Sequence, residues 1–241
     1  MLSWFTIIRR RPDQAGLRPG QVMLTFDDGP NLEDNVTPDL LDVLHRHNVK
    51  AGFCLIGNQI KRHPDIVRRM HYSGHLLINH TTNHIHPTRQ STAELIDEAE
   101  SCDAELSRAL GIPNYRSDYF RAPYGIVTPA VRRMRRRLNF TPVLLTHYSW
   151  DTRFGPQNYQ EVVDQTLTSA RRRNGGLFVL HDGTLGEKTD DEPAWPESPR
   201  NRSWVPAAVD EMLTTWKHEG LEVVCFQNKN AQQTRLTGKC A

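Results

Sequence analysis

The sequence predicts an α/β fold built on a mainly parallel sheet, and three observations carry that expectation. Short apolar runs recur at 22–26, 52–56, 75–79, 119–121, 142–147, 177–180 and 221–226, lengths suited to buried strands. Amphipathic stretches with helix-start signals separate them. Alternation of this kind, sustained along the chain, implies crossover helices and a sheet that is either open or closed into a barrel.

The elements justify themselves in order. Thr37 before Pro38 and Thr128 before Pro129 each place a cap residue ahead of a proline suited to the first helical turn. Ser91 and Glu94 have capping-box spacing before an apolar stripe of Leu95, Ala99, Cys102, Leu106 and Leu110. A last helix, near 205–216, shows Val209, Met212 and Leu213 at helical spacing. Residues 183–203 break the rhythm, with Pro193, Pro196 and Pro199 among polar and acidic residues, and read as a long surface loop. The chain divides into an N-terminal extension at 1–20, one main domain at 21–230 and a tail at 231–241.

Bulk properties narrow the function. With 241 residues the chain has room for one substantial core, and a net charge of +2 does not argue for a nucleic-acid partner. The basic clusters at 9–11, 132–137 and 171–173 read mainly as solvated outer faces. Cys54, Cys102, Cys225 and Cys240 lack metal spacing and are expected to be free thiols. No apolar stretch is long enough to span a bilayer, and residues 1–8 lack the pattern of an export signal. A soluble, cytoplasmic protein is therefore expected, and no oligomeric state is specified.

Reactive residue types collect where such a scaffold gathers chemistry, at the C-terminal ends of strands. The first strand ends in Thr25-Phe26-Asp27-Asp28-Gly29-Pro30. Adjacent carboxylates before Gly-Pro mark a turn, which read alone is as much a polar turn as a site. The third strand runs into His80-Thr81-Thr82-Asn83-His84. Histidines four apart share a face if the segment is helical, and with one carboxylate they would give an ion three protein ligands and an open coordination shell. His86 reads as a loop residue. The fourth strand leads into Arg121-Ala122-Pro123-Tyr124, a cation and a rigid turn, and the strand at 177–180 ends in His181-Asp182. A histidine at that rim suits proton donation to a leaving amine.

These four motifs, in this order, resemble the polysaccharide deacetylase family, also called the NodB-homology or carbohydrate esterase 4 family, over roughly 22–226. The resemblance implies a distorted (β/α) barrel of about seven parallel strands. It implies a metal-dependent hydrolase that removes N-acetyl groups from N-acetylglucosamine-type oligo- or polysaccharides. Asp28, His80 and His84 would hold a divalent metal, zinc or cobalt. Asp27 would be the general base, oriented by Arg121, and His181 the general acid. The Tyr124 amide would help hold the oxyanion. Leu180, Pro123, Asp151 and Trp150 would meet the N-acetylated carbohydrate.

One segment departs from the family pattern. Members commonly carry Asp-x-x-Asp-Trp, whose second aspartate tunes the acidic histidine. Here the stretch reads Asp151-Thr152-Arg153-Phe154-Gly155, with Trp150 in front to fill the missing aromatic's space. Two other readings stay open at this point: an O-acetyl polysaccharide esterase of the same fold, and an inactive carbohydrate-binding relative.

Overall fold

The computed structural model describes residues 12–184, 198 and 200–227. β1 (Gln21–Asp27) is buried along its whole length, as befits a strand covered on both faces. It pairs in parallel with β7 (Gly176–His181), from Val22↔Gly176 to Asp27↔His181, and with β2 (Gly52–Leu55), from Thr25↔Gly52 to Asp27↔Cys54. β8 (Glu222–Val223) lies against Gln21 and Val22, before β2 begins. β3 (Leu76–Asn79), β4 (Tyr119–Phe120) and β5 (Thr141–Pro142) extend the sheet beyond β2, and β6 (His147–Tyr148) lies beyond β7. The order is β5-β4-β3-β2-β1-β7-β6, every pairing is parallel, and the sheet curls into a half-barrel.

The single strand expected at 142–147 is instead two, β5 and β6, at opposite edges of the sheet. The cause is a change of partner. Val143 N–H donates to Phe120 O at 2.9 Å, whereas Thr146 N–H donates to Leu177 O at 2.8 Å. One stretch of backbone thus serves the β4 side and then the β7 side, and bridges the gap in the barrel without a continuous ladder.

Side-chain alternation separates two packing layers. Outward-facing Val22, Leu24, Phe26, Phe53, Phe178 and Leu180 pack against the helices. These include α1 (Val36–Arg46), α6 (Gln160–Arg173) and α7 (Val205–His218), which contribute Leu40, Val163 and Trp216. Inward-facing Met23, Cys54, Ile78, Leu177 and Val179 fill the barrel with Ala15 and Leu17. The described end of the expected 1–20 extension therefore belongs to the core. Burying each large apolar side chain contributes roughly 1.5–3 kcal/mol.

Local signals behave unevenly. α4 (Thr92–Leu110) has both bonds of the capping box at Ser91 and Glu94 and closes at Gly111 with φ 66°. Thr128 accepts from Val131 N–H at the start of α5 (Pro129–Arg137). Thr37, however, is not a cap: α1 begins at Val36, and the Thr37 hydroxyl donates to Asp182 Oδ2 at 2.5 Å. Thr37 lies inside the first turn, and its oxygen accepts from Asn31 N–H at 2.8 Å instead of from the helix's own amides. Arg132, Arg133, Arg136 and Arg137 face solvent. Cys54, Cys102 and Cys225 are free thiols, and Cys240 lies outside the described residues, as do residues 231–241. No helix among the described residues is long and apolar enough to cross a membrane.

Because the strands run the same way, β1, β2, β3, β4 and β7 all end on one rim, and the entry to β7 sets its register. Gly175 there has φ 114°, and a Cβ would lie 2.2 Å from the Gln21 carbonyl oxygen. Gly175→Ala is expected to lower the unfolding free energy by about 2 kcal/mol or more, read as a shift of the urea midpoint at unchanged slope.

Candidate metal centre and active site

Asp27 and Asp28 leave β1 in opposite directions. Asp27 follows the inward parity of Met23 and Thr25, while Asp28, at φ 73°, turns its carboxylate toward the end of β3. His80 Nδ1 lies 2.8 Å from the Arg121 carbonyl oxygen. A carbonyl only accepts, so Nδ1 carries the hydrogen and Nε2 keeps its lone pair. That Nε2 sits 3.5 Å from Asp28 Oδ1, and His84 Nε2 sits 3.4 Å from the same oxygen.

The two histidines do not converge by sharing a helical face. Residues 80–84 are loop, and Thr81 (φ 66°) and His84 (φ 52°) occupy the left-handed region. The distortion is held from outside. Asn79 Oδ1 accepts from Thr81 N–H at 3.0 Å, and Asn79 Nδ2 donates to Ala99 O and Asp103 Oδ1 on α4. Glu98 Oε2 accepts from the amides of Thr82 and Asn83, at 3.0 and 2.8 Å. Burial pushes the Asp103 carboxyl up to about 6, against the pull of Asn79.

Asp28, His80 and His84 each offer a ligand atom within 4.8 Å of the others, and all three side chains are buried. Asp28 Oδ1 has no hydrogen-bond partner. Burial alone would raise the Asp28 carboxyl, yet the surrounding imidazoles of His80, His181 and His84 hold it below its ordinary value. Burial and the neighbouring His80 push the His84 imidazole down to about 4, which leaves it neutral. An orphaned carboxylate oxygen facing two imidazole nitrogens, at least one a fixed acceptor, fits a divalent cation and no protein donor.

Around the triad stand two buried ion pairs. Arg121, only 1% exposed, donates from Nη1 to Asp27 Oδ1 at 2.5 Å and Thr25 Oγ1 at 2.7 Å. Asp27 Oδ2 is left on the side of His80 Nε2, 4.0 Å away. Across the rim His181 Nδ1 donates to Asp151 Oδ1 at 2.9 Å, and His181 N–H donates to Asp151 Oδ2 at 2.7 Å. Burial opposes charge on both partners, but each holds the other ionised: His181 is pushed up to about 9 and Asp151 down to about 2.

Three of the remaining expected residues fall in two places, the turn after β4 and the segment after β6. Pro123 is buried and opens the turn that sets Tyr124 at φ 57°. The Tyr124 ring is 59% exposed, with centroid distances of 4.6 Å to His84 and 4.9 Å to His86. Trp150 is 51% exposed, with the Arg153 guanidinium 4.2 Å over its ring and Tyr148 edge-on at 4.9 Å.

Two expected substrate contacts are corrected. Asp151 is fully buried and spends both oxygens on protein donors, so it supports His181 and does not meet a substrate. Leu180 packs outward with Phe26 and Phe178, because adjacent strand residues face opposite sides. Val179, two residues before His181, is the inward-facing neighbour.

The family model for polysaccharide deacetylase matches residues 15–143. A chitooligosaccharide deacetylase from Bradyrhizobium sp. (strain ANU 289) is 36% identical over 180 residues, covering 74% of this chain and 77% of the relative. The chain belongs to the polysaccharide deacetylase family. A peptidoglycan-N-acetylglucosamine deacetylase from Bacillus cereus is 36% identical over 168 residues, 69% of this chain and 57% of that protein. Among solved structures, a peptidoglycan N-acetylglucosamine deacetylase aligns with TM-score 0.71 at 26% identity, over 86% of each chain. The chitin deacetylase of Colletotrichum lindemuthianum aligns with TM-score 0.71 at 25% identity, over 86% of this chain and 85% of its own.

For this family member the sequence reading missed Asn79, Asp103 and Arg202. A lone acid beside Cys102 on the apolar stripe of α4 was a usable signal for Asp103. Nothing marked Arg202, which sits within 183–203. Ser198, Asn201 and Arg202 are buried, so that end is not the expected surface loop, while 185–197 and 199 lie outside the described residues. His80→Ala and His84→Ala are expected to purify without a stoichiometric divalent metal, measured by elemental analysis, while keeping the wild-type far-ultraviolet circular dichroism.

Proposed function

We propose that this protein is a metal-dependent hydrolase that removes N-acetyl groups from N-acetylglucosamine-type oligosaccharides or polysaccharides. The observation that carries the proposal is the juxtaposition on one rim of the Asp28–His80–His84 triad, the Arg121-anchored Asp27 and the Asp151-paired His181. A divalent ion held by the triad, zinc or cobalt, supplies Lewis acidity toward a water and an amide carbonyl when bound.

The chain's own groups divide the rest. Asp27 is fixed through Oδ1 and takes the proton of the attacking water at Oδ2. As the water oxygen bonds to the carbonyl carbon, charge grows on the carbonyl oxygen, and the Tyr124 N–H receives it. His181, with Nδ1 engaged by Asp151, gives its Nε2 proton to the amide nitrogen. The carbon–nitrogen bond breaks, and acetate and the free amine leave. The exposed rings of Tyr124 and Trp150 offer apolar faces to the sugar.

The departure at Phe154 and Gly155 does not leave the acid without a carboxylate. Asp151 serves His181, and Phe154 packs against the outer core. This favours an active enzyme over an inactive binding relative.

The proposal is tested by acetate release from chitin oligosaccharides with chelator-stripped protein, before and after adding zinc or cobalt. Metal-restored release is expected, and release only from O-acetylated xylan would assign the ester chemistry instead. Asp27→Asn should lower turnover at least about a hundredfold while retaining zinc. Near-normal activity in that variant would remove Asp27 from the role of base.

A further inference from the structure

Arg202 lies three residues before α7 and is buried to 1% exposure. Burying an unpaired guanidinium is prohibitively costly, so what it touches explains why it is there. Its Nε donates to the His181 carbonyl oxygen at 2.9 Å, its Nη1 to the Asp151 carbonyl oxygen at 2.9 Å, and its Nη2 to Asp151 Oδ2. The guanidinium carbon lies 4.9 Å from the centroid of the Trp204 ring, which in turn stacks on Tyr159. All three nitrogens are therefore used, and all three point at the Asp151–His181 pair.

This fork assigns the two carboxylate oxygens differently. Oδ1 takes the imidazole Nδ1–H and a 3.3 Å contact from Ser149 Oγ, whereas Oδ2 is shared by the His181 amide and Arg202. We infer that Arg202 is a positioning residue that divides the Asp151 carboxylate between two cations and so sets the acid strength of His181. The inference rests on the deacetylase reading for its place in catalysis, but the clamp itself does not depend on the substrate.

The sign follows from the charges around His181. Asp151 faces it from the loop after β6, Asp27 and Asp28 from the end of β1, His84 from the loop after β3, and the Tyr148 ring lies 6.0 Å away. The carboxylates favour the imidazolium. Arg202 is a like charge that draws on the strongest of them. Without it Asp151 would answer His181 alone, and His181 would hold its proton more tightly, a poorer donor to the leaving nitrogen.

The test uses the full-length, zinc-loaded protein. His181 is titrated through its ring resonances, assigned with His181→Gln, alongside kcat and KM for chitin oligosaccharides. In Arg202→Met the His181 titration should move upward by roughly half to one pH unit. The kcat should fall about tenfold or more with KM within about twofold. Arg202→Lys, which keeps the charge, should return the titration to within a few tenths of wild type. Asp151→Asn should move it downward. If Arg202→Met does not fold, Arg202→Gln, a neutral donor to Asp151 Oδ2, should show the same upward shift. A His181 titration that is unchanged or lowered in these neutral variants would overturn the inference. An upward shift in a protein that releases no acetate from any substrate would leave the clamp standing and sink the deacetylase reading.

Discussion

Asp27 and Asp28 sit at the end of a strand with no solvent-facing side, and two adjacent carboxylates there need counter-charges within hydrogen-bond reach. The rest of the rim answers that requirement. Arg121 comes across from the end of β4 to take Asp27. His80 and His84 come from β3 and leave Asp28 Oδ1 open for a cation. Asp151, His181 and Arg202 form a third group, one carboxylate between two cations, with Asp27 and Asp28 also facing His181. Each group arrives on a different strand end or the segment after it, so the chemistry exists only because the strands are parallel.

The supporting layer is polar where the first layer needs direction. A loop with two left-handed residues would not hold His84 against His80 unaided. Asn79, Glu98 and Asp103 fasten it to α4, whose own start is fixed by a capping box. Local helix chemistry in the sequence thus reaches the metal ligands through one buried asparagine. Asp182 works in a similar way beneath Asp28, joining Thr37 and Asn31 to the turn that carries the two acids.

Much of the site was legible because strand ends are. Apolar runs followed by Asp27-Asp28-Gly29-Pro30, by His80, by Arg121 and by His181 mark both the position and the side-chain types. What the sequence concealed were relations set by the third dimension. The histidine spacing suggested a helix, while the backbone reaches the same convergence through positive φ angles. Leu180 looked adjacent to His181 in sequence, yet strand parity turns it to the other face. Arg202 lay among prolines and acids with no periodicity, and its partner was an aspartate whose motif had lost its usual company. The segment at 142–147 looked like one strand because its residues are uniformly suited to one; only its hydrogen-bond partners divide it.

That division has a consequence for how the protein behaves in a crowded solution. An exposed sheet edge is a template on which another chain can add a strand. Here both edges, β5 and β6, are two residues long and belong to the same short stretch of backbone, which curves from one to the other. Neither presents a row of free amides and carbonyls long enough to recruit a neighbour. A barrel left incomplete at its seam thus offers little edge for strand addition among the described residues, because the few residues that bridge it also keep both edge strands short.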